Sequence, residues 1–238
     1  MAERVWDRFL TEQDQAHLAR GRHRKVRFGK KPALLLIDLY RWVFGDKPEP
    51  ILEAVKTWPS SCGLAGWNAL PHIQRLLSTA REAGIPIIHT TGLGDEGIKG
   101  WAALREGGPS TGTTPEGMER YRRRYDIIDE VKPLSGEAVI KKSSPSAFWG
   151  TPLVGHLNFV DVDTILTCGE STSGCVRASV VEGCTYRYRM MVVEECVFDR
   201  HEASHAVNLF DMNQKYADVV SLTAALDYLN AWRAERAA

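Results

Sequence analysis

Between Val162 and Arg177 the chain reads Val-Asp-Thr-Ile-Leu-Thr-Cys-Gly-Glu-Ser-Thr-Ser-Gly-Cys-Val-Arg, and this stretch restricts the fold more than any other. Val162 to Cys168 is a short apolar run suited to a buried strand. Gly169 breaks it, small and polar residues follow, and from Cys175 a small-residue helical pattern begins with Val176, Ala178, Ser179, Val180 and Val181. A strand, a Gly-bearing turn and a helix in that order set a thiol at a helix N-terminus. Free backbone N–H groups and the helix dipole favour a thiolate there, and the same N–H groups point at any carbonyl the sulfur attacks. A small buried cysteine at a tight strand–helix junction fits the pattern equally well. Other parts of the chain have to decide.

Pro32 opens a second apolar run, Ala33-Leu-Leu-Leu-Ile37, of the kind found in central parallel strands, and Asp38 ends it. Further strands are expected at Gly84–His89, Gly136–Ile140, Met190–Glu194 and Val219–Leu222. Helices are expected from about Ala65 to Ala83, with Trp67, Leu70, Ile73, Leu76 and Leu77 on one face, and over Asp199–Asn213 and Thr223–Arg233. Six strands alternating with helices indicate one doubly wound, mostly parallel α/β domain over residues 32–238, with strand order 3-2-1-4-5-6. Residues 1–31 form a polar arm in which Thr11 caps a short helix, with Asp14 at the capping-box distance. Residues 91–126, rich in Gly, Thr, Pro and Arg, show no period and are expected to form a long functional loop. Arg120 and Arg122 to Arg124 read as a solvated or interface face.

Thirty basic and thirty acidic residues leave no formal net charge, which argues against a nucleic-acid partner. The seven Lys/Arg between Arg20 and Lys31 therefore read as a solvated arm packing on a partner subunit. Five cysteines without framework spacing indicate reduced thiols. No apolar run reaches membrane-spanning length, and the N-terminal residues lack the apolar core of a signal peptide. A cytoplasmic location with no membrane contact is expected.

Asp38 ends the first strand, Lys142 follows the third and Cys175 the fourth, so all three converge at the carboxyl edge near the switch point. A carboxylate, an ammonium and a thiol gathered there can divide the work of amide hydrolysis. Three motifs carry a resemblance: Pro32-Ala-Leu-Leu-Leu-Ile-Asp38, Lys142 six residues before Phe148, and Gly169-Glu-Ser-Thr-Ser-Gly-Cys-Val. In them the chain resembles the isochorismatase-like cysteine hydrolases over about residues 30–225. The resemblance implies an Asp38–Lys142–Cys175 triad, a cis peptide between Glu170 and Ser171, and an oxyanion hole formed by the Ser171 and Cys175 amides. It also implies no cofactor and a homo-oligomer, a dimer or tetramer. Family members usually carry a small or apolar residue where this chain has Glu170, which marks Glu170 as a candidate polar contact for substrate. Thr-Ser-Gly-Cys-Val-Arg-Ala and Val-Phe-Asp-Arg200 look most like the N-carbamoylsarcosine amidase branch, in which the matching arginine binds a substrate carboxylate. Arg200, Glu170 and Thr172 are thus the candidate substrate contacts. The implied substrate is a small ureido acid, or an amido acid of the maleamate type. Arg200 has a rival role in a salt bridge with Asp199 or Glu202.

Two readings of other classes compete. His201-Glu202-Ala-Ser-His205 matches the zinc-peptidase helix, with Asp211 as a third ligand. Asn208 stands where the extended motif needs glycine, and no methionine beyond Met212 supplies a Met-turn. No metal site is expected on those grounds, and His89 lacks the histidine cluster of the nicotinamidases. A catalytically silent binding protein is the other rival.

Overall fold

The computed structural model describes residues 4–21, 25–94 and 114–237. Its sheet contains β1 (Pro32–Ile37), β2 (Ile87–Gly92), β3 (Ala138–Lys142), β4 (Thr164–Glu170), β5 (Arg189–Phe198) and β6 (Asp218–Val220). The order is β3-β2-β1-β4-β5-β6 with every pairing parallel, the doubly wound arrangement expected from the sequence. In chain order the helices are α1 (Glu12–Arg20), α2 (Arg41–Phe44), α3 (Ile51–Thr57), α4 (Leu64–Ala83), α5 (Pro115–Arg123), α6 (Leu153–Phe159), α7 (Arg177–Thr185), α8 (Glu202–Lys215) and α9 (Leu222–Ala237). None of the described helices is long and apolar enough to cross a membrane.

The uninterrupted apolar run of β1 has a direct cause. A parallel sheet covered on both faces must bury every side chain of its central strands. Leu34 and Leu36 enter one core with α4 and α9, while Ala33, Leu35 and Ile37 enter the other with α6, α7 and α8. On α4 the expected stripe is the buried one: Leu70, Ile73, Leu76 and Leu77 are buried and Trp67 packs against them.

Several boundaries differ from expectation. Strand β4 does not stop at Gly169 but continues through it to Glu170. Gly169 has φ +115°, and a Cβ there would stand 2.0 Å from the Ile37 carbonyl oxygen. The glycine is therefore what lets β4 stay paired with β1 up to the sheet edge, where Ile37 and Gly169 are in register. Residues 95–113 of the expected 91–126 loop lie outside the described residues, but Pro115–Arg123 is helical, capped by the Thr114 hydroxyl accepting from Gly117 N–H. Arg124 is not a solvated residue. It is buried, with its guanidinium over the rings of Tyr121 and Tyr125 at 3.6 and 4.5 Å.

The N-terminal arm packs on the chain's own domain. Trp6 is buried and meets Phe210 of α8, and Arg4 pairs with Glu194 at 2.9 Å. The Val26 and Arg27 amides donate to Asp218, and those of Lys30 and Lys31 to Asp163. Carboxylates at the start of β6 and just before β4 thus hold a basic segment through its backbone, leaving its cationic side chains outside. The capping box of α1 between Thr11 and Asp14 forms as read from the sequence.

Gly169→Ala should lower stability by about 3 kcal/mol or more, because both its φ and its closest neighbour exclude a side chain. Gly155→Ala, on α6 with nothing within 4 Å, should instead raise it by about 0.4–1 kcal/mol. Denaturant midpoints of the two variants against the parent check both signs.

Candidate active site

The carboxyl edge of β1 is where the two halves of the sheet diverge, and it opens onto Asp38. This aspartate is fully buried and takes φ +57°, a left-handed conformation that aspartate tolerates better than most residues. Thr90 of β2 holds it. The Thr90 hydroxyl donates to Asp38 Oδ1 at 2.9 Å and accepts the Asp38 N–H at 3.2 Å. Lys142, the last residue of β3, reaches past β2 so that its Nζ lies 2.7 Å from Asp38 Oδ2. The same ammonium donates to the Ser144 carbonyl at 3.1 Å and to Cys175 Sγ at 3.4 Å. The three residues expected to converge from separate strands do converge, around one lysine nitrogen.

Cys175 arrives by a tight turn rather than by a plain helix start. The Glu170–Ser171 peptide is cis. Residues Thr172–Val176 wind into one π-helical turn with Gly174 at non-helical angles. The Ser171 carbonyl accepts the Gly174 and Val176 N–H groups at 2.9 and 3.1 Å. Ser179 fastens this turn to the loop after Lys142: its hydroxyl donates to the Cys175 carbonyl at 2.7 Å and accepts the Ala147 N–H at 2.9 Å.

Electrostatically the site departs from the simple helix-terminus picture. Burial first, and Asp38 next, push the Cys175 thiol well above its ordinary range, against the opposing pull of Lys142. Lys142 is held charged: burial works against its ammonium, but Asp38 and then Cys175 outweigh it and raise its pKa. Lys142 therefore stays charged at rest, and the sulfur keeps its proton.

Arg200, just after β5, is where expectation and structure diverge in detail. Its guanidinium goes neither to Asp199 nor to Glu202. Nη1 donates to Glu170 Oε1 at 2.6 Å and Nη2 donates to the Ser60 carbonyl. Asp199 instead accepts the backbone N–H groups of Ser173 and Arg200, both at 2.8 Å, tying the Cys175 turn to the end of β5. Thr172 is fully buried, with Oγ1 2.8 Å from His205 Nδ1, so its side chain is engaged away from any open surface.

The histidines of the zinc reading are not arranged as a ligand pair. His201 precedes α8 with extended backbone, and the ring of His205 is committed to Thr172. Glu202 pairs with Arg8 and Asp211 with Arg177 and Lys215. Among the described residues no three His, Cys, Asp or Glu side chains group as metal ligands.

Some site residues escaped sequence reading. Thr90 was legible only through register, since His89 pairs with Leu36 and the next residue must flank the end of β1. Tyr40 and Cys62, both buried, feel the charge of Glu170, and Tyr40 also that of Asp38. Nothing in their local sequence marks them.

Comparison with known proteins agrees with this geometry. A family model described as Isochorismatase domain matches residues 32–224. Maleamate amidohydrolase of Pseudomonas putida is 35% identical over 208 residues, covering 86% of this chain and 90% of its own length. N-carbamoylsarcosine amidase of an Arthrobacter species is 29% identical over 227 residues, covering 89% and 76%. The crystal structure of N-carbamoylsarcosine amidase from Thermoplasma acidophilum shares the fold, with a TM-score of 0.60 at 20% identity over 80% of this chain and 98% of that one. The sheet order, the extent of the family match and the identity to full-length relatives establish that the chain belongs to the isochorismatase family.

Proposed function

We propose that this protein is a cysteine amidohydrolase that cleaves a linear C–N bond of a small carboxylate-bearing amide or ureide and releases ammonia. The observation that carries the reading is the position of Lys142 Nζ, 2.7 Å from Asp38 and 3.4 Å from Cys175 Sγ. A buried acid, cation and thiol in mutual contact provide a base, a charge stabiliser and a nucleophile.

In the first half-reaction the Cys175 thiol proton passes to Asp38 as sulfur bonds to the carbonyl carbon. The Ser171 and Cys175 amides receive the developing oxyanion. The C–N bond breaks as Asp38 returns the proton to the leaving nitrogen, which departs as ammonia and leaves a thioester. In the second, water gives a proton to Asp38 and adds to the thioester. The C–S bond then breaks and the sulfur recovers its proton. Because burial holds the resting thiol neutral, Asp38 acts as base during attack rather than meeting a preformed thiolate. Lys142 keeps its charge throughout and offsets whichever neighbour is anionic.

Maleamate and N-carbamoylsarcosine, the compounds in the two relatives' names, are small carboxylates ending in a C(=O)–NH2 group. Arg200 is the cation that takes such a carboxylate, since a planar guanidinium offers it two parallel hydrogen bonds. The higher identity to maleamate amidohydrolase favours an amido acid over the ureido acid suggested by the motifs around Cys175.

Cys175→Ala should cut ammonia release from maleamate and N-carbamoylsarcosine by about 10⁴-fold or more with an unchanged denaturant midpoint. Full turnover by that variant, or chelator sensitivity with indifference to iodoacetamide, would sink the cysteine mechanism. Arg200→Lys keeps a cation beside Glu170 but loses the fork. It should raise KM for the acid about tenfold or more while leaving a neutral amide of similar size nearly unchanged. Equal losses on the two substrates would remove Arg200 from carboxylate recognition.

A further inference from the structure

Arg200 already has a carboxylate. Glu170 closes β4, is 4% exposed, and accepts from Arg200 Nη1 at 2.6 Å, while Arg200 Nη2 is taken by the Ser60 carbonyl. The groups that face Glu170 come from every element around it. Arg200 and Asp199 follow β5, Asp38 and Tyr40 follow β1, Cys62 precedes α4, and Cys175 lies in the turn before α7. Its one cationic partner in that set is Arg200. The neighbouring cation, Lys142, is paired with Asp38. Three carboxylates, those of Asp38, Glu170 and Asp199, thus share the pocket with two cations, Lys142 and Arg200.

A substrate carboxylate entering this pocket would double its excess negative charge and would find each terminal nitrogen of Arg200 already donating, Nη1 to Glu170 and Nη2 to the Ser60 carbonyl. We propose that Glu170 is the specificity-determining residue of this site, competing with the substrate carboxylate for Arg200 and yielding the guanidinium by taking up one proton. The inference rests on the reading of Arg200 as the carboxylate receptor. It adds that acid binding is proton-linked and that uncharged amides escape the linkage. Burial is the main reason the exchange falls near neutrality. It lifts the Glu170 carboxyl, against Arg200 and with help from Asp38 and Asp199, to about 7. The sign follows. Below that pH Glu170 is neutral and Arg200 is released to the substrate, whereas above it the ionised carboxylate holds the guanidinium. Affinity for the acid should then fall about tenfold per pH unit, the slope of a one-proton exchange.

Steady-state kinetics of the full chain between pH 6 and 9, with maleamate, N-carbamoylsarcosine and a neutral amide of similar size, test this. KM for the acids should rise about tenfold per unit above pH 7, while KM for the neutral amide stays level. Glu170→Gln should flatten the acid profile and lower its KM at pH 8 by about tenfold. Acid hydrolysis with a level KM profile, or a Glu170→Gln variant with the parent's acid profile, overturns the role of Glu170 and leaves the amidohydrolase reading standing. Turnover of neutral amides alone overturns Arg200 as receptor and Glu170 with it. No turnover of any amide by folded protein is the distinct failure of the amidohydrolase reading, and it takes the inference with it. A second measurement leaves Glu170 intact: calorimetric titration of Cys175→Ala with maleamate and N-carbamoylsarcosine at pH 8, in buffers of different ionisation enthalpy. Uptake of about one proton per acid bound supports the proposal. Binding without uptake, or no binding of either acid, overturns it.

Discussion

The contact between Lys142 and Asp38 is the constraint on which the rest of the site depends. Their side chains are 5% and 0% exposed, and the charged atoms stand 2.7 Å apart. Withdrawing two ions from water costs several kcal/mol each, and their attraction offsets that only with good geometry and further hydrogen bonds. The surroundings supply both. Thr90 bonds one oxygen of Asp38, and the Ser144 carbonyl and Cys175 sulfur take other donor directions of the ammonium. Asp38 follows β1 and Lys142 ends β3, so the pair closes across the end of β2, and the register of β1 with β2 and of β2 with β3 sets where the two side chains meet.

Cys175 approaches this pair from the other side of β1, and backbone geometry decides where it stops. Gly169 lets β4 hug β1 to the last rung. The turn held by the Ser171 carbonyl reverses the chain, and Ser179 and Asp199 anchor its two ends. The sulfur arrives within reach of a cation yet inside a desolvated pocket that also holds carboxylates. That combination explains why proximity to Lys142 and to a helix start does not by itself produce a resting thiolate. Desolvation acts on the sulfur whatever the distance to the lysine, and Asp38 adds to it.

Much of this was legible one residue at a time. The all-apolar β1, the amphipathic face of α4 and the capping box of α1 each follow from spacing and residue type, because those features are local. Asp38, Lys142 and Cys175 were legible as candidates because each follows or ends an apolar run. The misreadings were all of one kind. Gly169 looked like a strand breaker because glycine usually is one, and only the Ile37 carbonyl pressed against it reveals a close packing role. Arg124 looked solvated because its neighbours in sequence are basic, while in space it lies between two tyrosine rings. Thr172 looked like a substrate contact from its place beside the cysteine turn, and its hydroxyl turns to His205 instead.

The amino-acid sequence by itself determined the α/β class, the parallel pairing of buried apolar strands and the three residue types at the strand ends. Periodicity and punctuation are properties of short segments and survive without knowledge of what lies across the sheet. Only the tertiary structure decided which charges neutralise which. Arg200 meets Glu170 across thirty residues of chain and Ser60 across one hundred and forty, and Lys142 meets Cys175 across thirty-three. Those partnerships depend on distance and desolvation in three dimensions, which no window along the chain contains.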